Sequence, residues 1–250
     1  MSGLIDELKA RKGVVSFVGA GGKKSTMFRI ADAHPGRVAL TATAHIERFP
    51  RRFREAAVIG AGEDLMAGIR DMQSARVVSF AHDCDLPGRY AGMSDAELKA
   101  ILAEGEFDVC LIKADGARGR LIKAPAEHEP ALSAHTTSVV TVVSARAIGM
   151  ALNDKLAHRP ERVAAVTGAR IDEPLTPLHV ARLLASSEGL LKKTEGLPVT
   201  PLINMVDDAD RQALAHEAAT LALKLTDRFD QVVLGAMKKT NPVVAVVNRL

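Results

Sequence analysis

The chain has 250 residues, a formal net charge of +3, and 47% hydrophobic against 25% charged residues. That balance excludes a disordered chain and fits a folded soluble protein. Aromatics make up only 3% and Trp is absent, so the core is expected to be aliphatic and single-stranded nucleic acid would lack stacking platforms. The basic residues are dispersed, and no nucleic-acid partner is expected. Two cysteines, Cys84 and Cys110, suggest no disulfide framework.

The opening "MSGLIDELKARKG" reads as a short amphipathic helix and not a signal peptide. No apolar run reaches membrane-spanning length, so a cytoplasmic protein is expected. Strand-length apolar runs follow at 14–18, 37–43, 76–81, 107–112, 137–143, 200–206, 231–237 and 242–247. They are continuous, as in strands buried on both faces of a parallel sheet. Between them lie helices: 94–104 with a capping box from Ser94 to Glu97, a segment opening at Thr176–Pro177, and a long one after residue 206. The alternation predicts an α/β fold, a P-loop-like, mainly parallel sheet with helices on both faces. A single domain over 1–250 is expected, with the helix-rich stretch around 145–200 a candidate small insertion.

The motif that carries chemistry is "VVSFVGAGGKKSTMFRIA", 14–31. Glycines let backbone N–H groups approach a phosphate, and a helix N-terminus adds unpaired donors and a favourable dipole. Gly19, Ala20, Gly21 and Gly22 therefore read as a phosphate cradle. Two frames exist. Either Gly22–Lys23 is the phosphate-binding pair, with Lys24 in place of the metal-side hydroxyl, or Lys24–Ser25 is, with Lys23 in place of a glycine. Glycine phasing favours Lys23, with Ser25 or Thr26 as substitute hydroxyls on the metal side. Asp115, after the 107–112 strand, sits where such proteins place the acid that holds Mg²⁺. Asn204-x-x-Asp207 has the spacing of a guanine-reading element, with Met205 where a lysine is usual; Asp207 also suits a helix N-cap. "KAPAEHEP" concentrates Lys123, Glu127, His128 and Glu129, as metal or acid–base groups or as an ordinary solvated loop.

In matching order, "VGAGGKKSTMF", "TATAHI", "KADGARGRLIKAPAEHEP" and "NMVD" resemble the YqeC-type selenium cofactor biosynthesis proteins, accessory proteins of selenium-dependent molybdenum hydroxylases. The resemblance implies a P-loop-like fold and a role in maturing a molybdenum hydroxylase or its selenium-modified cofactor. It supports Lys23 as the loop lysine and Asp115 as the acid of A-D-G. It makes Lys123, Glu127, His128 and Glu129 candidates for catalysis or a second substrate, with Arg118 as an anion contact and Thr41 and Thr43 lining the phosphate side. This chain departs from the family pattern at Lys24 (a Thr), at Ala42 and Ala44 (a threonine run), and at Lys113 (a Glu). Gaining two ammonium groups while losing a carboxylate and a hydroxyl weakens a Mg²⁺ site by charge alone.

Three functions are compatible with these residues. The first is an ATP- or GTP-dependent accessory enzyme in which Lys23 and Asp115, with Glu127 and His128, perform phosphoryl chemistry. The second is a non-catalytic nucleotide-sensing chaperone of a molybdenum hydroxylase. The third is a Mur-type ATP-dependent ligase, from the short G-x-x-G-K spacing.

Overall fold

A computed structural model describes residues 2–249; Met1 and Leu250, the ends of the expected domain, lie outside the described residues. Nine strands form one sheet: β1 (Gly13–Gly19), β2 (Val38–Ala42), β3 (Ala57–Ile59), β4 (Val77–Ala81), β5 (Val109–Lys113), β6 (Ser138–Ser144), β7 (Val199–Asn204), β8 (Gln231–Gly235) and β9 (Val243–Asn248). Their spatial order is β9-β8-β7-β6-β1-β5-β2-β4-β3. All neighbours run parallel except β9, which returns antiparallel to β8. The mainly parallel sheet expected from the continuous apolar runs is present.

The helices are α1 (Ser2–Glu7), α2 (Lys23–Ala33), α3 (Gly62–Asp71), α4 (Asp95–Glu104), α5 (Pro160–Thr167), α6 (Pro177–Ala185) and α7 (Ala209–Leu225). Alternate strand residues divide between the two faces. Val15, Phe17, Leu40, Leu111 and Val142 pack with Leu4, Met27 and Ile30 of the first two helices. On the other face Ala39, Val78, Phe80 and Ile112 meet Leu65, Ile69, Leu98 and Ile101 of α3 and α4. Further along that face, Val18, Val143, Ile203 and Val232 meet α5, α6 and α7 through Val163, Val180, Leu184 and Ala219.

Local signals explain most boundaries. The first helix stops short of the thirteen residues expected, because Lys9 turns left-handed (φ 51) ahead of β1. Strand β3 was not visible in the sequence. It is three residues long at the sheet edge, half-buried throughout, and preceded by the charged run "RRFRE". The cap of α7 is Asp208 and not Asp207: its Oδ1 accepts the Arg211 N–H at 2.9 Å.

In the capping box of α4, Ser94 Oγ accepts from the Glu97 N–H and Glu97 Oε2 accepts from the Ser94 N–H. Ser94→Ala removes one half of that exchange and is expected to cost about 1 kcal/mol. Urea unfolding checks this: the midpoint should fall with the denaturant slope unchanged.

Candidate functional site

The carboxyl ends of five adjacent strands, β8, β7, β6, β1 and β5, converge on one rim of the sheet. The chain leaves β1 toward β2 on one side, whereas β6 feeds β7 on the other. Such a divergence between neighbouring strands opens the crevice where open α/β sheets bind ligands.

The glycine loop occupies that crevice. Gly19 has φ 95, and a Cβ there would lie 2.2 Å from the Val142 carbonyl oxygen. Gly22 has φ 125, and its Cβ would meet Asn204 Nδ2 at 2.2 Å. Neither position admits another residue without displacing backbone or a buried amide. The loop is tied down from outside: Ala20 N–H donates to Val142 O at 2.8 Å and Gly21 N–H to Arg120 O at 3.1 Å. The first helical hydrogen bond is Thr26 N–H to Gly22 O, 3.0 Å. The N–H groups of the preceding first turn have no intrahelical acceptor, which is the usual anion-receptive condition.

Lys23 folds back under this loop. It is buried, donates to the Gly19 carbonyl, and places Nζ 2.8 Å from Asp115 Oδ1. That last approach is a charge contact whose angles do not make a hydrogen bond. Burial lowers the ammonium's pKa, and the Asp115 charge opposes the shift. The other Asp115 oxygen accepts from Gly19 N–H at 2.9 Å and lies 2.9 Å from Lys123 Nζ. Lys123 also donates to Gly116 O (2.7 Å) and Glu129 Oε2 (2.9 Å), and Glu129 receives Arg159 at 2.6 Å. The result is an alternation of charge, buried from Lys23 through Asp115 and Lys123 to Glu129 and ending on the partly exposed Arg159.

Lys113 ends β5 in register with Phe17 and Ala42. It is 8% exposed, and its Nζ donates to the His45 carbonyl at 2.6 Å. Burial, then the nearby Lys23 charge, lowers its pKa to about 7. Lys24 is half-exposed and pairs with Glu47.

The remaining candidates separate into two groups. Asn204 belongs to the loop: Nδ2 donates to Gly21 O at 2.9 Å, while the buried Oδ1 has no hydrogen-bond partner. Ser25, Arg146, Asn204, Met205, Asp207, Met237 and Lys238 line a cavity of about 80 Å³, in which Asp207 accepts from Arg146 Nε at 2.8 Å. Ser25 and Thr26 hydroxyls both donate to Gly22 O, at 2.8 and 3.0 Å. Thr41 is buried against Phe80 O (2.7 Å), bracing β2 to β4, and Thr43 donates to Ala131 O. Glu127, His128 and Arg118 are exposed; Glu127 lies 3.8 Å from Arg162 and the His128 carbonyl accepts from Lys193. The structure thus brings Lys23, Asp115, Lys123 and Glu129 into one network and leaves Glu127 and His128 outside it.

These donors do not fit a magnesium ion as arranged. Asp115 lies between two ammonium groups, both candidate hydroxyls donate to a backbone carbonyl and bring no charge, and the neighbouring buried side chain is Lys113. Among the described residues no three His, Cys, Asp or Glu side chains are grouped closely enough to hold a metal ion.

Residues 15–161 match the family described as YqeC protein. The chain belongs to that family. A protein of Escherichia coli K12 described as uncharacterized protein YqeC is 30% identical over 196 residues, spanning 76% of this chain and 75% of its own. Among solved structures, HypB from Helicobacter pylori in complex with nickel covers 95% of this chain and 85% of its own, at 13% identity and a TM-score of 0.39. The matched YqeC stretch contains the glycine loop, Lys113, Asp115, Lys123, Glu129 and Arg159, and ends before Asn204.

Sequence reasoning did not find Arg146, Met237, Lys238 or Arg159. Three of them follow the ends of β6 and β8, and "GAMKK" directly after a strand was the available signal. Arg159 is brought in by the short pairing of Ala157–His158 with Ile122–Lys123, which no periodicity announces.

Burial alone would raise the Glu129 carboxyl, but Lys123, the Ala126 N–H and Arg159 hold it down at about 2. A depressed carboxylate contributes stability above its unfolded value, and that contribution is lost as pH falls from about 4.5 to about 2. Glu129→Gln should flatten unfolding free energy against pH in that window. It should also destabilise the protein at neutral pH by about 3 kcal/mol, because Lys123 and Arg159 lose their shared counter-charge. Urea titrations at several pH values check both.

Proposed function

We propose that this protein binds a nucleoside triphosphate at the 19–26 loop and serves as an accessory protein in maturing a selenium- or molybdenum-containing cofactor or its hydroxylase. Lys23 and the first-turn N–H groups of α2 take the phosphates, and the cavity beside them takes the base. The observation that carries the reading is Asn204. A glycine turn that merely starts a helix has no use for a buried amide bridging it to a neighbouring strand end. Here that amide donates to Gly21 O and keeps an unpaired acceptor beside Asp207 and Lys238.

The cavity chemistry leans toward guanine. Asp207 is an acceptor pair now held by Arg146; a guanine's ring N–H and exocyclic amine are the matching donors. Met205 and Met237 supply apolar walls, and adenine offers no equivalent pair of donors. Phosphate binding moves Lys23 off Asp115, exchanging one counter-anion for another.

The arrangement of Asp115 favours sensing over rapid turnover. A water-positioning or metal-side carboxylate needs free lone pairs; when Lys23 departs Asp115 releases Oδ1 alone, while Oδ2 stays held by Lys123 and Gly19 N–H. A nucleotide-sensing chaperone of the hydroxylase is therefore the reading favoured over an efficient hydrolase. The molybdenum and selenium context comes from the family resemblance and places the client outside the chain.

Calorimetric titration of ATP and GTP tests the site. Lys23→Ala should weaken nucleotide binding at least tenfold, and GTP should bind more tightly than ATP. Equal weak binding by wild type and variant would overturn the assignment of this loop.

A further inference from the structure

The lysine count around the loop sets a condition on its ligand. Lys23, Lys24, Lys113 and Lys123 surround the crevice, against Asp115, Glu129 and Glu47. Lys24 is paired with Glu47, and Lys123 is divided between Asp115 and Glu129. Lys113 is different. Among the described residues it has no carboxylate partner; its buried ammonium rests on one carbonyl, that of His45. A buried amine on a lone carbonyl is poorly placed to carry its charge, and an incoming anion favours the protonated form.

A divalent cation at the phosphates would meet the opposite situation. It would enter beside Lys113 with one Asp115 oxygen at most to receive it, Oδ1 once Lys23 has moved to the phosphates, since Oδ2 stays with Lys123 and Gly19 N–H. Ser25 and Thr26, whose hydroxyls donate to Gly22 O, offer a cation neutral lone pairs and no charge. We propose that the site takes its polyphosphate ligand without a divalent metal, with Lys113 contributing the positive charge that magnesium would otherwise bring. The inference rests on the nucleotide reading above and specifies the ligand's form: the free polyanion and not its magnesium complex. Lys113 acts here as a binding residue, from the strand next to β1, on the side of the loop opposite the Asn204 cavity.

The test is binding of GTP and ATP to the full chain by calorimetry, once in EDTA and once in excess Mg²⁺. Wild type should bind at least tenfold more tightly in EDTA. Lys113→Met should lose at least tenfold in EDTA, Lys113→Arg should retain most of the affinity, and Lys113→Glu should bind better with Mg²⁺ than without. The wild-type comparison needs no variant to fold, and thermal melts identify any variant that does not. Binding by wild type only when Mg²⁺ is present would overturn the metal-free inference while leaving the nucleotide site intact. Absence of binding under both conditions would overturn the nucleotide reading itself, and the inference with it.

Discussion

The rim of this sheet is organised around one carboxylate. Asp115 follows β5, is 2% exposed, and is reached by two ammonium groups and one backbone N–H. Isolated, it would be an expensive group to bury; with these partners it becomes the hinge between two parts of the molecule. Through Lys23 and Gly19 it holds the glycine loop. Through Lys123 and then Glu129 it holds the 123–130 loop and, beyond it, Arg159 at the start of α5. Removing one member strands the charge of the next, so the network fixes geometry more than it adds net stability.

That arrangement gives the loop a definite resting state. Lys23, which in the proposed function meets the phosphates, is here turned inward, onto Gly19 O and Asp115. An anion arriving at the N-terminus of α2 competes with Asp115 for the same ammonium. The competition is local, but its partner is not: Asp115 also contacts Lys123, whose other carboxylate is Glu129. The phosphate side and the 123–130 loop are therefore coupled by contact, in a chain of alternating charges without a solvent-exposed gap.

How much of this was legible in the sequence depends on range. The strand runs and their order of burial could be read because a parallel sheet covered on both faces leaves continuous apolar stretches, and the Ser94–Glu97 cap because its parts lie three residues apart. Glycine phasing favours Lys23 over Lys24 as the phosphate lysine; in the structure Lys23 lies under the loop and Lys24 pairs with Glu47. What could not be read was partnership across distance. Nothing local says that Lys123 would lie wholly buried against Asp115, or that Glu129 would share Arg159. Within "KAPAEHEP" the three consecutive charged positions 127–129 look equivalent as text. Only the backbone path decides that Glu129 points inward while Glu127 and His128 face solvent.

The substitutions at Lys24 and Lys113 look alike in the sequence, both reading as cations in place of metal-side groups, but the fold gives them different meanings. Lys24 sits half-exposed in the first helical turn and pairs with Glu47, so its charge is answered locally. Lys113 ends a central strand between β1 and β2, where among the described residues no carboxylate pairs with it directly and its hydrogen bond goes to the His45 carbonyl. A half-exposed lysine paired with an exposed glutamate costs a site less, because solvent screens both. A buried one cannot be screened and must be answered by whatever enters the crevice. Of the two lysines, Lys113 is therefore the one on which the proposed metal-free binding turns.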